Sequence, residues 1–485
     1  MTDLRRPPLL AALAGLLALF LWVTWRQPPR LLGDGYEYYL MLRSLAAHGT
    51  PEAKPEDIAA TAALLRPLGF ELPNPPPGFF PSTREGLYGY HFWFYSLLGV
   101  PLRWLGLGFS AFYGLNIGLV LVTSALVLRC RAIAAPRRVA LLLLSLVSPV
   151  LWYIKWPHPE VFTWCCVLLA LVGWEAKRPV WATLAASLGA LQNPPVLFLS
   201  LLIFVVALRE KENRSGKRLL GLIVALGVAF VPMAFFFIHF QALSMIAKVG
   251  GSNPGWITLE RVASLFGDLN QGLFFYVPLL LCLGLAGILK ATRQRRYKPL
   301  LLGATLLLFA IAAATTNNWN SCCSGVMRYG VWMLPVLAWL ALESKPSRWM
   351  LTTAICLQAL IVLYDDPMRS ERSPGNVFTY TEHLRLARMV LNRAPWLYNP
   401  EPEIFVERTL GSEPTPPWKL PVAYHAGERI SKILVDDASF SHLPEKFIPE
   451  PLWWAQVQRE CAGKRGFFYL NPPPGAVKDR EIKKP

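Results

Sequence analysis

Long apolar runs separated by short basic stretches constrain this chain more than any other feature. A transmembrane helix needs roughly 20 mostly apolar residues, and 54% of the 485 residues are hydrophobic. The pattern predicts an all-α polytopic membrane bundle with about eleven transmembrane helices. The runs lie near residues 9–23, 109–128, 139–154, 160–175, 179–192, 194–208, 219–239, 273–289, 299–314, 330–342 and 349–364.

The first apolar run, Leu9 to Val23, follows Arg5 and Arg6 and has two interpretations. A signal peptide has a similar basic start, but a small-residue cleavage pattern should then follow the apolar run. Trp25 and the residues after it do not form such a pattern. We therefore expect a retained first helix whose N-terminus lies in the cytoplasm.

The basic residues agree with this orientation. Every connection that would return to the cytoplasm carries Lys or Arg, as the positive-inside rule requires. The formal net charge of +17 is thereby placed mainly against anionic membrane lipids, and no nucleic-acid partner is expected. These connections contain Arg129, Arg131, Arg137 and Arg138; Lys177 and Arg178; Arg209, Lys211, Arg214, Lys217 and Arg218; Lys290, Arg293, Arg295, Arg296 and Lys298; Lys345 and Arg348.

The same topology predicts two domains. Residues 1–364 are expected to form the transmembrane domain, which includes a long first outer loop over residues 26–108 with juxtamembrane helices. Residues 365–485 are expected to form a small α+β or irregular C-terminal outer domain. The aromatic stretch His91 to Trp104 is interpreted as an interfacial helix, because a membrane crossing there would place the later basic clusters outside. Local patterns also predict a helix over Glu56–Leu65, a connector over Asn74–Pro81 and strands at Ile433–Val435 and Phe467–Leu470.

Asp34 and Glu37 are the leading candidates for chemistry, because they lie just beyond the outer end of the first span. If a helix starts near Asp34, Glu37 lies on the same face one turn later. Two such carboxylates can supply a general base and a hydrogen-bonding partner. The alternative is an N-cap Asp followed by a charge-stabilising Glu.

Two further outer connections carry candidate residues. One holds Lys155, His158 and Glu160 within six residues, at a depth where charge is costly; a snorkelling Lys among interfacial Trp residues is the alternative. The other ends in Arg328, an exception to the positive-inside pattern. Its planar guanidinium suits a phosphate, whereas a cation–π contact or a pairing with Asp or Glu is the alternative.

These motifs, in this order, resemble the GT-C superfamily of multispanning glycosyltransferases. The superfamily includes protein O-mannosyltransferases, lipid A aminoarabinose transferases and many bacterial relatives. The resemblance covers roughly residues 8–345. It is carried by Gly33-Asp34-Gly35-x-x-Tyr38, by His91 to Pro101, by Gly272 to Pro278, and by Trp319 through Gly325 to Arg328-Tyr329 followed by Pro335.

The resemblance implies transfer of a sugar from a polyprenyl-phosphate donor to a glycan, lipid or protein acceptor on the extracytoplasmic face. Asp34 would be the general base, with Glu37 as a catalytic helper. Single displacement implies an inverting reaction. Arg328 would neutralise the donor phosphate together with Lys155 or His158, and the remaining expected substrate-binding residues are Glu160, His91 and Tyr38.

The resemblance and the topology also place the protein in the bacterial inner membrane, with an extracytoplasmic C-terminus. No cofactor is expected, and without an established metal-ligand spacing a divalent metal is neither required nor excluded. Cys322 or Cys323 could pair with Cys461, although adjacent cysteines make that count ambiguous.

Two other function classes compete with the transferase. One is a non-catalytic handler of lipid-linked sugar or polysaccharide, such as a flippase or an assembly subunit. The other is an ion-coupled transporter, which is disfavoured because the predicted spans hold almost no ionisable residues at their centres.

Overall fold

The computed structural model describes residues 34–68, 70–319, 326–364, 382–412 and 417–480. The expected first span at residues 9–23 lies outside these ranges, as do Gly33, Cys322 and Cys323. Cys461 lies within them and is a buried free thiol.

The described chain is mostly helical with a few short strands. The first outer segment and the helices after it are α1 Gly35–His48, α2 Pro55–Leu65, β1 Phe79–Pro81, β2 Leu87–Gly89, α3 Phe94–Trp104, α4 Ser110–Arg129, α5 Ala135–Leu146, α6 Val150–Tyr153, α7 Glu160–Glu175, α8 Pro179–Gln192, α9 Leu197–Arg209, α10 Gly216–Gly227, α11 Val231–Phe240 and α12 Met245–Lys248. Next come α13 Leu259–Gly267, α14 Leu273–Tyr276, α15 Pro278–Arg293, α16 Tyr297–Ala313, α17 Arg328–Val331, α18 Leu334–Glu343, α19 Arg348–Tyr364, α20 Arg385–Arg393, α21 Pro402–Leu410, β3 Val422–Ala426, β4 Arg429–Val435, α22 Asp437–Ser441, α23 Leu443–Lys446, β5 Phe447–Pro449, α24 Pro451–Cys461, β6 Phe468–Leu470 and β7 Val477–Asp479.

Two helices within the described residues are long and apolar enough to cross a membrane. They are Ser110–Arg129, with 20 residues, and Gly216–Phe240, with 25 residues, in which a short 3₁₀ turn joins α10 to α11. Only 28% of the apolar window in the second is buried, and an apolar surface left open to this extent is typical of lipid contact. Each expected run after the first coincides with one or more helices, but most are shorter than a straight span requires. The count of about eleven spans therefore stays a prediction.

The chain divides into two compact units. The described residues of unit 1 fall within 34–257, 276–317 and 328–364, and those of unit 2 fall within 258–275, 318–319, 326–327 and 382–480. Two earlier segments fall in the same compact unit as the C-terminal region, and the expected transmembrane and outer domains stay a prediction. Buried ion pairs and hydrogen bonds within unit 2 hold these segments to it.

Helices α7 and α18 form the centre of unit 1. Both are apolar around most of their circumference and are buried along almost their whole length, as expected for core helices. They pack against each other; α4 and α8 also contact α7, and α5, α15 and α16 contact α18.

The first outer segment of unit 1 contains α1, α2, the β1–β2 hairpin and α3. Helix α1 ends at His48. The next residue, Gly49, donates its N–H to the Leu45 carbonyl and adopts a left-handed conformation that turns the chain away from the helix. Helix α2 confirms the expected helix over Glu56–Leu65. The hairpin was not predicted, because its strands have only three residues each and β1 lies within the proline-rich stretch Asn74–Pro81 that was expected to be a connector. The interfacial position of α3 stays a prediction.

Unit 2 is built around the three-stranded antiparallel sheet β3-β4-β6, accompanied by the pair β5-β7. Both expected tail strands are confirmed: Ile433–Val435 is part of β4, and β6 covers the expected second strand except Phe467. Ile433 of β4 pairs with Leu470 of β6. Side chains alternate along β4: Leu434 packs with α20 and α21, whereas Ile433 and Val435 pack with α24. Both faces of β4 are therefore covered.

Candidate functional site

The Asp34 side chain does not cap α1. The Asp34 carbonyl accepts hydrogen bonds from the N–H groups of Glu37 and Tyr38 at 3.0 and 3.3 Å, but the carboxylate makes no capping bond. It contacts Arg328 and His91 instead. The capping interpretation of Asp34 is therefore wrong in its central feature, and the carboxylate belongs to a side-chain cluster.

His91 lies between the two candidate carboxylates. Its Nδ1 is 2.9 Å from Glu37 Oε2, within hydrogen-bond distance, and its Nε2 is 3.6 Å from Asp34 Oδ2. The ring stacks on Tyr38, with centroids 5.3 Å apart. Because α1 brings Asp34 and Glu37 to one face, a single imidazole contacts both.

Arg328 completes the cluster from a segment 294 residues away along the chain. Its Nη1 donates to Asp34 Oδ2 at 3.3 Å, and its Nη2 donates to the Tyr329 hydroxyl at 3.1 Å. The guanidinium also lies over the Tyr329 ring, 5.1 Å from its centroid. Both contacts that the alternative interpretation of Arg328 expected are thus present.

The environments of the two carboxylates push their pKa values apart. Burial raises the pKa of Asp34, but His91, Arg328 and His158 outweigh it and lower that pKa to about 2. For Glu37, burial is the largest effect and raises the pKa to about 7, even though His91 favours the charged form. Burial lowers the pKa of His91, and the nearby Glu37 and Asp34 more than reverse this and raise it. Asp34 is therefore ionised at neutral pH, whereas Glu37 titrates there.

The β1–β2 hairpin closes the site behind Glu37. Gly78 has a φ of +78°, and a Cβ at this position would overlap the Glu37 carboxylate. The Tyr36 hydroxyl donates to the Pro77 carbonyl at 2.8 Å, which holds the neighbouring backbone against α1. Sequence reasoning missed Gly78, although its place in a Pro-Pro-Pro-Gly run signalled an unusual backbone.

Lys155 lies in the turn between α6 and α7, and its side chain is buried. Asn116 on α4 shapes this turn, because its Nδ2 donates to the carbonyls of Ile154 at 3.2 Å and Trp156 at 2.9 Å. Asn116 was not predicted. Its signal was a lone amide within an otherwise apolar helix, where a buried polar group needs partners.

His158 and Glu160 are also buried, and His158 faces the cluster. The Tyr38 ring contacts the His158 ring edge-on, with centroids 5.8 Å apart, so Tyr38 lies against both His91 and His158. Glu160 Oε2 is 3.7 Å from His158 Nδ1. The structure thus brings Asp34, Glu37, Tyr38, His91, His158 and Arg328 together, joins Glu160 to them through His158, and leaves Lys155 in the adjoining turn.

The Asp34 carboxylate and the Arg328 guanidinium are in direct contact, 3.3 Å apart, and are not separated by the width of a sugar phosphate. Opposite charges brought this close in a partly buried site form an ion pair.

Among the described residues, no group of three or more His, Cys, Asp or Glu side chains is placed to hold a metal ion.

No protein-family model and no curated protein matches this chain. Among solved structures, it is similar to the archaeal oligosaccharyltransferase AglB from Archaeoglobus fulgidus, solved in complex with an inhibitory peptide and a dolichol-phosphate. The match has 13% sequence identity and a TM-score of 0.37, and it covers 86% of this chain and 61% of that one. A likeness at this TM-score is too distant to assign AglB's activity or ligands to this chain.

Proposed function

We propose that this chain is a membrane glycosyltransferase that moves a sugar from a polyprenyl-phosphate donor to an acceptor on the extracytoplasmic face. The observation that carries the proposal is the meeting of Asp34, His91 and Arg328 at the start of α1. A carboxylate can take the acceptor proton, an imidazole can contact the bound sugar, and a guanidinium can neutralise the leaving phosphate.

The proposed reaction is a single displacement. The acceptor oxygen or nitrogen attacks the anomeric carbon and loses its proton to Asp34, while the bond from that carbon to the phosphate oxygen breaks. The bonding electrons leave with the polyprenyl phosphate. The transition state carries positive charge on the sugar ring, which the Asp34 carboxylate also stabilises. Attack opposite the leaving group inverts the anomeric configuration.

Arg328 links donor binding to the activation of Asp34. A donor phosphate competes with Asp34 for the guanidinium, because both are anions that accept its N–H groups. When Arg328 turns to the phosphate, one of the interactions that lower the pKa of Asp34 is lost. Asp34 then becomes a better proton acceptor only after the donor has bound.

The remaining residues have supporting roles in this proposal. Glu37 orients His91 through the Nδ1 contact, so that Nε2 stays directed toward Asp34 and the bound sugar. His158 and Lys155 add positive charge for the phosphate, with Glu160 positioning His158. Tyr38 separates the two imidazoles. Each role combines the contacts of that side chain with the chemistry that the GT-C resemblance implies.

The decisive experiment uses purified protein in lipid nanodiscs with a panel of polyprenyl-phosphate sugars. Mass spectrometry would detect the glycosylated acceptor and the released lipid phosphate. Binding of donors without any transfer would favour the runner-up, a non-catalytic handler of lipid-linked sugar. Absence of both binding and transfer across the panel would contradict the proposal.

Arg328→Ala tests the phosphate role separately. Loss of charge-assisted hydrogen bonds should weaken donor binding by roughly 10- to 100-fold. The matched control is Arg137→Ala, which removes another arginine paired with carboxylates in unit 1, those of Glu175 and Glu343, and should leave donor affinity unchanged. Equal affinity in wild type and Arg328→Ala would remove Arg328 from the donor site.

A further inference from the structure

Helix α20 and the 3₁₀ turn after it, Pro395–Leu397, carry a run of exposed basic and apolar side chains in unit 2. We call it the arginine face, and its residues are Arg385, Arg388, Met389, Arg393, Trp396 and Leu397. The opposite side of α20 is buried, because Ala387 and Leu391 are fully enclosed in the core cluster that also holds Phe405 and Leu434.

Hydrogen bonds from β4 fix this surface to the sheet. Ser431 Oγ donates to the Leu391 carbonyl at 2.8 Å, and Lys432 Nζ donates to the Pro395 carbonyl at 2.7 Å. Burial lowers the pKa of Lys432 to about 7, which reflects how deeply this side chain lies beneath the turn. The arginine face is therefore held in place rather than formed by a loose segment.

The apolar members of the arginine face are widely exposed. Trp396 is 63% exposed, Leu397 74% and Met389 46%. A tryptophan and a leucine beside each other at this exposure are unusual on a surface that faces only water. Such side chains favour a partner that offers an apolar layer.

The charged members of the arginine face favour a negatively charged partner. Arg385, Arg388 and Arg393 carry three positive charges, and the sequence from residue 383 to 400 contains no Asp or Glu. Arginines around exposed Trp and Leu are the composition of segments that lie at a bilayer surface, with guanidinium groups at the headgroups and apolar side chains just below. A polysaccharide could stack on Trp396, but it would leave Leu397 without an apolar contact.

We propose that the arginine face docks unit 2 onto anionic lipid headgroups of the bilayer. Each arginine near such a surface strengthens binding roughly fivefold. The two helices of this chain that are long and apolar enough to cross a membrane would keep the bilayer close, so that a weak surface contact is populated through a high effective concentration. This inference stands apart from the proposed transferase activity.

Hydroxyl-radical footprinting of the full-length protein in nanodiscs would test the docking. Oxidation of Met389 and Trp396 would be compared between discs of phosphatidylcholine alone and discs that also contain phosphatidylglycerol. Leu452, which is 81% exposed on another part of unit 2, reports the radical dose. Met389 and Trp396 should be protected from oxidation only in the discs that contain phosphatidylglycerol, whereas Leu452 should be oxidised equally in both.

A triple variant and a charge-matched control complete the design. Arg385→Gln, Arg388→Gln and Arg393→Gln together should abolish the protection, since three contacts contribute roughly a hundredfold in binding. The control variant makes the same change in net charge at other exposed positions of unit 2, with Lys419→Gln, Arg459→Gln and Arg465→Gln. Protection of Met389 and Trp396 should persist in this control. Equal oxidation in both kinds of disc, or protection that survives the first triple variant, would overturn the proposal.

Discussion

At the scale of single residues, Asp34 and Glu37 have very different side-chain pKa values, although they share one helix face. Asp34 is paired with Arg328 and stays ionised, with a pKa of about 2. Glu37 is enclosed, and its pKa is about 7. Neighbouring carboxylates with separated pKa values commonly divide their roles in enzyme sites, which supports a different task for each.

The raised pKa of Glu37 predicts how stability depends on pH. An ordinary Glu has a pKa of 4.5, so between pH 4.5 and about 7 the folded protein holds this proton more tightly than the unfolded chain does. Stability is therefore fully present below pH 4.5 and is lost as pH rises through 7, by on the order of 3 kcal/mol at most. The raised pKa of His91 acts in the same direction.

Glu37→Gln removes the charge that burial opposes. We expect the difference in thermal unfolding midpoint, variant minus wild type, to become larger as the pH is raised from 5 to 8. Glu71→Gln, at an exposed position, should leave the pH dependence as it is in wild type. If Glu37→Gln loses as much stability as wild type between pH 5 and pH 8, ionisation of the buried Glu37 is not the cause of the loss.

Sequence reasoning reached part of this site. The spacing of Asp34 and Glu37 placed them on one face, and Arg328 was identified because it breaks the positive-inside pattern. The direct contact of Arg328 with Asp34 could not be predicted, because it depends on packing between distant segments. For the same reason, His91 was expected only as a substrate contact, whereas its position between two carboxylates depends on the hairpin before it.

At the scale of secondary structure elements, the β1–β2 hairpin determines how closely the backbone approaches Glu37. Gly78→Ala would introduce a methyl group into the carboxylate and would strain a left-handed backbone. We expect the variant to displace Glu37 from His91 and to lose transfer activity.

Gly106→Ala is the matched control for this element. Gly106 also has a positive φ, +85°, but nothing lies within 4 Å of the added Cβ. It should cost about 1 kcal/mol of stability and leave transfer unchanged. The prediction for Gly78 fails if both variants retain activity, as measured in the same nanodisc assay.

Helices were more predictable than the hairpin. Apolar runs locate helices because a low-dielectric surrounding requires their backbone groups to be paired within the segment. The three-residue strands of the hairpin carry too few alternating side chains to produce a period of two. Their pairing, Phe79 with Gly89, depends on contacts that a local pattern does not contain.

At the scale of the whole molecule, unit 2 gathers three separate segments of the chain. Arg261 donates to Glu401 Oε1 at 2.9 Å and to Glu403 Oε2 at 2.6 Å. Glu403 also accepts the Trp319 backbone N–H, and the Trp319 indole donates to Ser264 at 2.7 Å. These buried contacts explain why the C-terminal domain includes residues far upstream, and no sequence motif indicated them.

Arg261→Met should therefore destabilise unit 2. Removing one partner of a buried ion pair leaves a carboxylate uncompensated and costs about 3 kcal/mol. Limited proteolysis should cleave unit 2 sooner in this variant, and adding Glu401→Gln with Glu403→Gln should restore part of the resistance. Unchanged proteolysis of Arg261→Met would show that the ion pairs do not hold the three segments together.

In the proposed transferase, Asp34 takes the acceptor proton as the sugar leaves its lipid-phosphate donor. The most direct measurement compares transfer rate and donor affinity for wild type, Asp34→Asn and Asp57→Asn. Asp57 is a buried carboxylate of unit 1 that pairs with Arg43 and His48, so its variant controls for the loss of a buried charge. We predict that Asp34→Asn loses transfer by roughly 10²- to 10⁴-fold while still binding donor, and that folded Asp57→Asn protein retains both. Transfer by Asp34→Asn at the wild-type rate would contradict this role for Asp34.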